Sequence, residues 1–568
     1  MNSEISKIKI LLAGGCALLM LVLAYGRSFG VPFYLDDFPS LVNSLVFANG
    51  RVDWGGLYAE YPRRWLTYAS FGLNVELAGL APAGFHALSI AIHACVSVLV
   101  AVLAYGLSGL VGEKARERRL AFSASVAVLV MLHPLNSQAV VYSVQRATLL
   151  MAMFYIGAML IYVWARQSKK PLGYALVVLL GLASWFSKEN AATLPLALLV
   201  LEGVFFQQGA RALACKVLPF AAVLLAWGVL ESVPEMSKYA RDTWLYSRSE
   251  YFATELVVLW EYIGRFFIPL GLKLEYDSAL KNWASPVVWA ALAGHLAVIA
   301  GVLRLGARWQ LVTYGVLFYY VAHFVESSVV PLKDLAFEHR TYLPNIGLAL
   351  AVGAGATEML KARQEWLWRG VVGGAVVLAV LTALRVELWR TPLAFYQRNA
   401  EASPMAYRTW LGLSAQYARL GDMTKADAAV SRALHVYQSR FDGLSEDVLA
   451  AYVRVKADTR QYAEVVRTVD MVTEKLGQSR AESLNSSSIY TDYGRSKAML
   501  GDLVGAEASF AKALTLDPRN VGALNNMATL KAMQKDYVQA QSYLEKALAI
   551  EPENLDVRRN LQKLDALR

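Results

Sequence analysis

The stretch IKILLAGGCALLMLVLAY (residues 8–25), followed after a short break by Tyr34-Leu35-Asp36-Asp37-Phe38, decides how this chain is read. The first part is apolar and long enough to cross a bilayer, whose hydrocarbon core takes about 20 helical residues. Lys7 and Lys9 beside it hold the N-terminal end in the cytoplasm by the positive-inside rule. No small-residue cleavage site precedes the aspartates, so the span reads as a retained helix and not a signal peptide. Asp36 and Asp37 then emerge at the opposite membrane face. Acids at that boundary, among aromatic neighbours, suit proton transfer on a lipid-borne substrate.

Working outward, 56% of the 568 residues are hydrophobic and the mean hydropathy is +0.37, which fits a polytopic membrane protein and not a soluble one. From about Arg390 onward polar and charged residues dominate. The expected fold is therefore all-α: a membrane domain over 1–390 and a soluble domain over 391–568. Candidate spans lie at 8–30, 84–110, 120–135, 146–165, 172–187, 191–207, 216–233, 286–303, 310–330, 344–360 and 370–389, eleven in all. The stretch 252–270 is interrupted by Glu255, Glu261 and Arg265 and reads as an interfacial or part-buried helix.

The net charge of +10 is topological and does not mark a nucleic-acid partner. Its basic residues fall in short loops, such as Lys114, Arg116, Arg118 and Arg119, then Arg166, Lys169 and Lys170, then Arg304 and Arg308. Eleven crossings put the C-terminal domain opposite the N-terminal end. The segments 31–83, 133–146, 234–286 and 331–345 share that non-cytoplasmic face, and long loops gathered on one face are where a membrane enzyme builds its site. Cys16, Cys95 and Cys215 lie in or beside apolar spans, with neither metal spacing nor a disulfide framework.

The tail repeats. Asp502-Leu503-Val504-Gly505-Ala506-Glu507-Ala508 returns 34 residues on as Asp536-Tyr537-Val538-Gln539-Ala540-Gln541-Ser542, and Ala513 and Pro518 match Ala547 and Pro552. A helix-turn-helix period of 34 is the tetratricopeptide signature. A looser unit holds Trp410, Tyr417, Gly421 and Ala433, and 452–477 reads as a degenerate one. Such α-solenoids bind peptides or proteins on a concave face.

Within the loops, Asp36 and Asp37 offer a base for an acceptor hydroxyl, and cations are needed to hold a leaving lipid phosphate. Arg64, in Tyr61-Pro62-Arg63-Arg64-Trp65, has the planar fork that matches phosphate; interfacial anchoring is the alternative. Arg146 opens a span with few charges nearby. Lys188-Glu189 joins two apolar spans, where charges are costly unless used or exposed; a hydrated turn with a mutually satisfied pair is the alternative. Glu338-His339-Arg340-Thr341-Tyr342 gathers an acid, a titrating ring, a cation and a phenol. His86, His93 and His133 read more simply as packing histidines. No histidine pair has zinc spacing, and no glycine loop cradles a phosphate, so soluble nucleotide hydrolysis is not indicated.

Taken together these segments resemble the TMTC-type protein O-mannosyltransferases and their bacterial tetratricopeptide relatives, members of the GT-C glycosyltransferase superfamily. Asp36-Asp37 stands at the family's acidic motif. Arg64-Trp65-Leu66-Thr67, Leu73-Asn74, Gly79-Leu80, Phe85-His86 and His93-Ala94 are similar to one conserved run. His133-Pro134, Ala139-Val140 and Arg146-Ala147 are similar to a second, Lys188-Glu189 to a third, and Glu338-His339-Arg340 with Tyr342-Leu343-Pro344 to a closing motif. There are departures: Gln138 replaces the usual Glu, Thr148 the usual Asp, and Trp65 a common Pro.

The resemblance implies a polyprenyl-phosphate-linked monosaccharide that gives up its sugar to a protein hydroxyl in an inverting displacement at the outer face. Asp36 or Asp37 would be the base. Arg64, Arg146, Lys188, His339 and Arg340 would hold the donor phosphate, and Glu189, Glu338, Tyr342 and His86 would line the substrate site. The repeats would engage the protein acceptor. No cofactor is required, and a divalent metal is not demanded, though paired acids could bind one. The expected location is a bacterial inner membrane with periplasmic repeats. A glycolipid or polysaccharide acceptor, or a non-catalytic membrane scaffold, are the alternatives.

Overall fold

A computed structural model describes residues 2–206, 247–327, 331–332, 334–440, 445–479 and 484–567. Every regular element among them is helical. They form two compact units, Met1–Ser403 and Pro404–Arg568. The expected span 216–233, and parts of the expected loops 234–286 and 331–345, lie outside the described residues.

In the first unit, prolines open several helices. Pro82–Leu110, Pro171–Trp185, Pro286–Leu303 and Pro392–Ala402 each carry proline in the first turn, where its missing N–H costs nothing. Helix Arg248–Phe267 starts on a capping box between Ser247 and Glu250. Helix Pro392–Ala402, polar by composition, belongs to this first unit: Leu274 N–H donates to Asn399 Oδ1 at 2.6 Å.

Among the described residues five helices are long and apolar enough to cross a membrane, namely Pro82–Leu110, Ser143–Ser168, Glu189–Phe206, Pro286–Leu303 and Gln364–Trp389. Arg116–Leu132 with Pro134–Val141 makes a sixth if a 49° bend is allowed; the bend falls at Pro134, which has no amide proton to continue the ladder. The difference from eleven has local causes. The expected span 172–187 is a 15-residue helix, Pro171–Trp185, that stops to turn Lys188 inward. The expected span 310–330 is the 14-residue helix Gln310–His323, after which the chain turns to bring Glu326 against Lys188.

That short helix is locked to Tyr342–Met359. A Cβ on Gly315 would stand 2.5 Å from the Gly347 carbonyl oxygen, and a Cβ on Gly347 would stand 2.5 Å from the Gly315 oxygen. Small residues at such a crossing let two backbones touch, which is how apolar helices pack where lipid removes the hydrophobic drive. The contact fixes the ends that carry Glu326 and Arg340.

The second unit is a row of antiparallel helix pairs: Tyr407–Arg419 with Met423–Arg440, Glu446–Asp458 with Tyr462–Ser479, Ser487–Met499 with Leu503–Leu516, and Val521–Met533 with Tyr537–Ile550, then Leu555–Leu567. The 34-residue period is visible as matched caps. Asp502 accepts from Gly505 N–H at 2.8 Å, and Asp536 from Gln539 N–H at 3.0 Å. Ala506, Ala513, Ala540 and Ala547 are wholly buried between helices. A Cβ on Gly494 would stand 2.7 Å from the Phe510 ring, so glycine is what lets that pair close.

Candidate functional site

The acidic turn is anchored on three sides. Asp37 is 1% exposed. Its carboxylate accepts from Tyr34 N–H at 3.1 Å and from Val144 N–H at 2.7 Å. Burial pushes the Asp37 carboxyl up to about 7, against the lowering pull of those N–H groups, and Asp36 adds to the rise. Asp36 is half-buried, and its N–H donates to the Tyr142 hydroxyl at 2.8 Å. The Tyr34 hydroxyl donates to the Trp389 carbonyl. Leu35, just before the pair, has φ +38°, a conformation that costs a side-chain-bearing residue on the order of 1–3 kcal/mol. Two loops and one helix end therefore hold the acids in a backbone shape they would not adopt alone.

Arg146 is wholly buried beside this turn. Nη1 donates to Ser70 O at 3.0 Å, Nη2 to Phe85 O at 3.0 Å, and Nε to Ser89 Oγ at 3.4 Å. Its guanidinium also lies over the Phe71 and Phe85 rings. His86 is wholly buried as well and hydrogen-bonds the Val31 carbonyl at 2.9 Å. His86 fastens the entry of the first loop at Val31, and Arg146 ties helix Trp65–Ala78 to helix Pro82–Leu110.

Across the loop, Arg64 grips Glu189 bidentately. Nε lies 3.1 Å from each carboxylate oxygen, and Nη2 is 2.8 Å from Oε2. Tyr68, stacked on Tyr61 at 3.5 Å, lies within electrostatic reach of both Arg64 and Asp36: burial raises its phenol, Arg64 lowers it, and Asp36 adds to the rise.

Lys188 donates to Glu326 Oε1 at 3.0 Å and to Thr148 Oγ1 at 3.1 Å. Burial lowers its ammonium, and Glu326 opposes the fall. Arg340, 8% exposed, donates to the Leu335 carbonyl at 3.3 Å and feels the buried acids Glu326 and Glu255. Burial pushes the Glu255 carboxyl up to about 7, with Arg340 pulling it down. His339 stacks on Phe337. Burial, Lys188, Arg340 and Arg64 together hold its ring far below the usual imidazole range.

The closing motif divides within five residues. Arg340 and His339 join the cations. Glu338 is wholly buried and accepts from Lys273 N–H at 2.5 Å, from the Tyr276 hydroxyl at 3.0 Å and from Arg385 Nη2 at 3.4 Å. Tyr342 is wholly buried and bonds His93 Nδ1 at 2.6 Å. These two lie in the packing behind the site. Among the described residues no group of three or more His, Cys, Asp and Glu is placed to hold a metal ion.

Sequence reasoning missed Tyr68, Tyr142, Glu255 and Glu326. Glu326 had a signal: a carboxylate inside an otherwise apolar run marks a used charge. Tyr68 and Tyr142 had none, since tyrosines beside a membrane face are common.

No family model matches the chain. The chain is similar to TMTC-type protein O-mannosyl-transferases. It is 30% identical over 200 residues to the human "Protein O-mannosyl-transferase TMTC4", covering 30% of this chain and 26% of that protein. It is 23% identical over 411 residues to the "Protein O-mannosyl-transferase F38B6.6" of Caenorhabditis elegans, covering 67% and 56%. It is 34% identical over 167 residues to mouse "Protein O-mannosyl-transferase TMTC1", covering 26% and 17%. The chain thus spans at most about half the length of these relatives. Among solved structures, the TPR protein YrrB is 20% identical, at a TM-score of 0.24, over 36% of this chain and 96% of its own.

Proposed function

We propose that this chain is a membrane glycosyltransferase of GT-C type that moves a monosaccharide from a polyprenyl-phosphate donor to a protein hydroxyl at the non-cytoplasmic face, by inverting displacement. The observation that supports this reading is a pair of adjoining arrangements: the Asp36–Asp37 turn is bonded to Tyr142 and Val144 just ahead of Arg146, and the neighbouring turn at 188–189 holds Lys188 against Glu326 and Arg64 against Glu189. The three relatives, named as protein O-mannosyl-transferases, support the same reading.

In this reading Asp36 takes the acceptor proton as its oxygen attacks the anomeric carbon. Asp37, its carboxylate committed to Tyr34 and Val144, positions the turn. Arg340, Lys188 and Arg64 hold the phosphate on which negative charge collects as the sugar leaves, while Glu189 orients Arg64. Arg146, with its donors spent on Ser70, Phe85 and Ser89, supports the first loop from behind. Eleven spans, an N-terminal end in the cytoplasm of a bacterial inner membrane, and periplasmic repeats that engage the acceptor complete the proposal.

The test incubates the purified full-length protein with polyprenyl-phosphate mannose and candidate acceptor proteins and reads the products by mass. A sugar-bearing protein that disappears with Asp36→Asn supports the reading. Transfer that persists in a doubly substituted Asp36→Asn, Asp37→Asn protein rejects it.

A further inference from the structure

Gln138 sits at the meeting point of the second loop and the closing motif, and its amide has only one possible orientation. Its Nε2 lies 3.0 Å from the Leu274 carbonyl oxygen, which can only accept. Its Oε1 lies 2.8 Å from the His339 backbone N–H, which can only donate. Both neighbours demand the same assignment. The same Oε1 lies 3.1 Å from His339 Nδ1. An amide oxygen cannot donate, so Nδ1 carries the ring proton. In a neutral imidazole the other nitrogen is then a bare acceptor. Among the described residues no group bonds that Nε2, and the ring is held in place by Phe337 at a centroid distance of 5.0 Å.

From this the geometry points to a specificity role resting on the proposed reaction: Gln138 positions His339 so that Nε2 accepts a hydrogen bond from a hydroxyl of the transferred sugar. A polyprenyl phosphodiester offers its oxygens only as acceptors, so the bare nitrogen has nothing to gain from the phosphate. A sugar hydroxyl is the donor such a nitrogen fits. Burial keeps the ring neutral, with Lys188, Arg340 and Arg64 adding to the effect, and in the proposed reaction those three cations take the phosphate. In this chain the glutamine is essential to the arrangement. A carboxylate at 138 would also accept from Nδ1, but it would favour imidazolium and turn Nε2 into a donor.

The test measures binding of polyprenyl phosphate and of polyprenyl-phosphate mannose to the purified full-length protein. The wild type should hold the sugar-bearing lipid more tightly. His339→Ala should weaken that lipid by on the order of tenfold, the scale of one hydrogen bond to a committed site, and leave polyprenyl phosphate unchanged. His339→Gln, whose carboxamide oxygen reaches the place of Nε2, should restore the preference, whereas His339→Lys should not. Gln138→Glu should lose the preference at low pH and regain it as the ring deprotonates, a pH dependence that a merely structural defect would lack. The inference is overturned if His339→Ala weakens both lipids equally, or if His339→Lys retains binding where His339→Gln loses it; either result makes His339 a phosphate cation. Should the alanine variant fail to fold, the glutamine and lysine pair decides alone. A wild type that binds neither lipid rejects the donor reading itself, and this inference with it.

Discussion

The Asp37 carboxylate and the Val144 backbone N–H, 107 residues apart in sequence, meet at 2.7 Å. This bond joins the first loop to the segment that precedes Arg146, and it separates the roles of the two acids.

Asp36→Asn should leave folding intact and reduce sugar transfer by about 10²-fold or more, the scale of a lost general base. Asp37→Asn should also lower transfer, but with a fall in melting temperature, because the single amide oxygen cannot accept from both the Tyr34 and the Val144 N–H groups. Parallel measurement of product and thermal stability checks this. Equal stability loss in both variants would refute the division.

The raised Asp37 carboxyl sets a pH dependence. Between about 4 and 7 the folded state keeps the Asp37 proton while the unfolded chain has lost it. The folded state then binds more protons, so stability falls as pH rises through this window and levels off above about 7. Glu255 contributes with the same sign. The Asp37 share is therefore read as the difference between wild type and Asp37→Asn in melting temperature against pH. A difference that is flat from pH 4 to 8 would refute it.

Arg64→Ala should weaken binding of the sugar donor and free Glu189. Arg64→Lys should recover little, because an ammonium cannot reproduce the two-pronged grip on Glu189. Donor affinity measured for both variants checks this. Full recovery with lysine would show that only charge matters at 64.

Arg146→Ala should act on stability before it acts on binding. The variant removes a wholly buried side chain with its bonds to Ser70, Phe85 and Ser89 and leaves a cavity between the Phe71 and Phe85 rings, at a cost of about 2–5 kcal/mol. Denaturant unfolding of the purified protein measures this. A variant with wild-type stability and lost donor binding would instead return Arg146 to the phosphate.

In the repeats, Gly494→Ala drives a methyl against the Phe510 ring and should cost about 1–3 kcal/mol. The readout is the unfolding transition of the purified full-length protein. An unchanged transition would refute the close helix contact.

Charge beside apolar sequence is legible without coordinates, which is why Asp36, Asp37, Arg64, Lys188, His339 and Arg340 stand out as candidates in the sequence. Which residues of a short motif face inward is not. Within 338–342 a single 3-10 turn sends Glu338 and Tyr342 into packing and leaves Arg340 with the cations, and spacing alone does not distinguish them. Hydropathy measures content but not where a helix stops, so the short helices Pro171–Trp185 and Gln310–His323 read as full crossings. The repeat period was plain at Asp502 and Asp536 because both cap a helix in the same way. It was faint earlier because helix starts at Tyr407, Glu446 and Ser487 lie further apart than 34 residues.

The bare-backbone crossing at Gly315 and Gly347 leaves almost no slack between two helices whose neighbouring ends bear Glu326 and Arg340. A methyl at either glycine would act as a wedge, prising apart charges it never touches. Tolerance to substitution here should follow leverage along a helix and not distance from the chemistry.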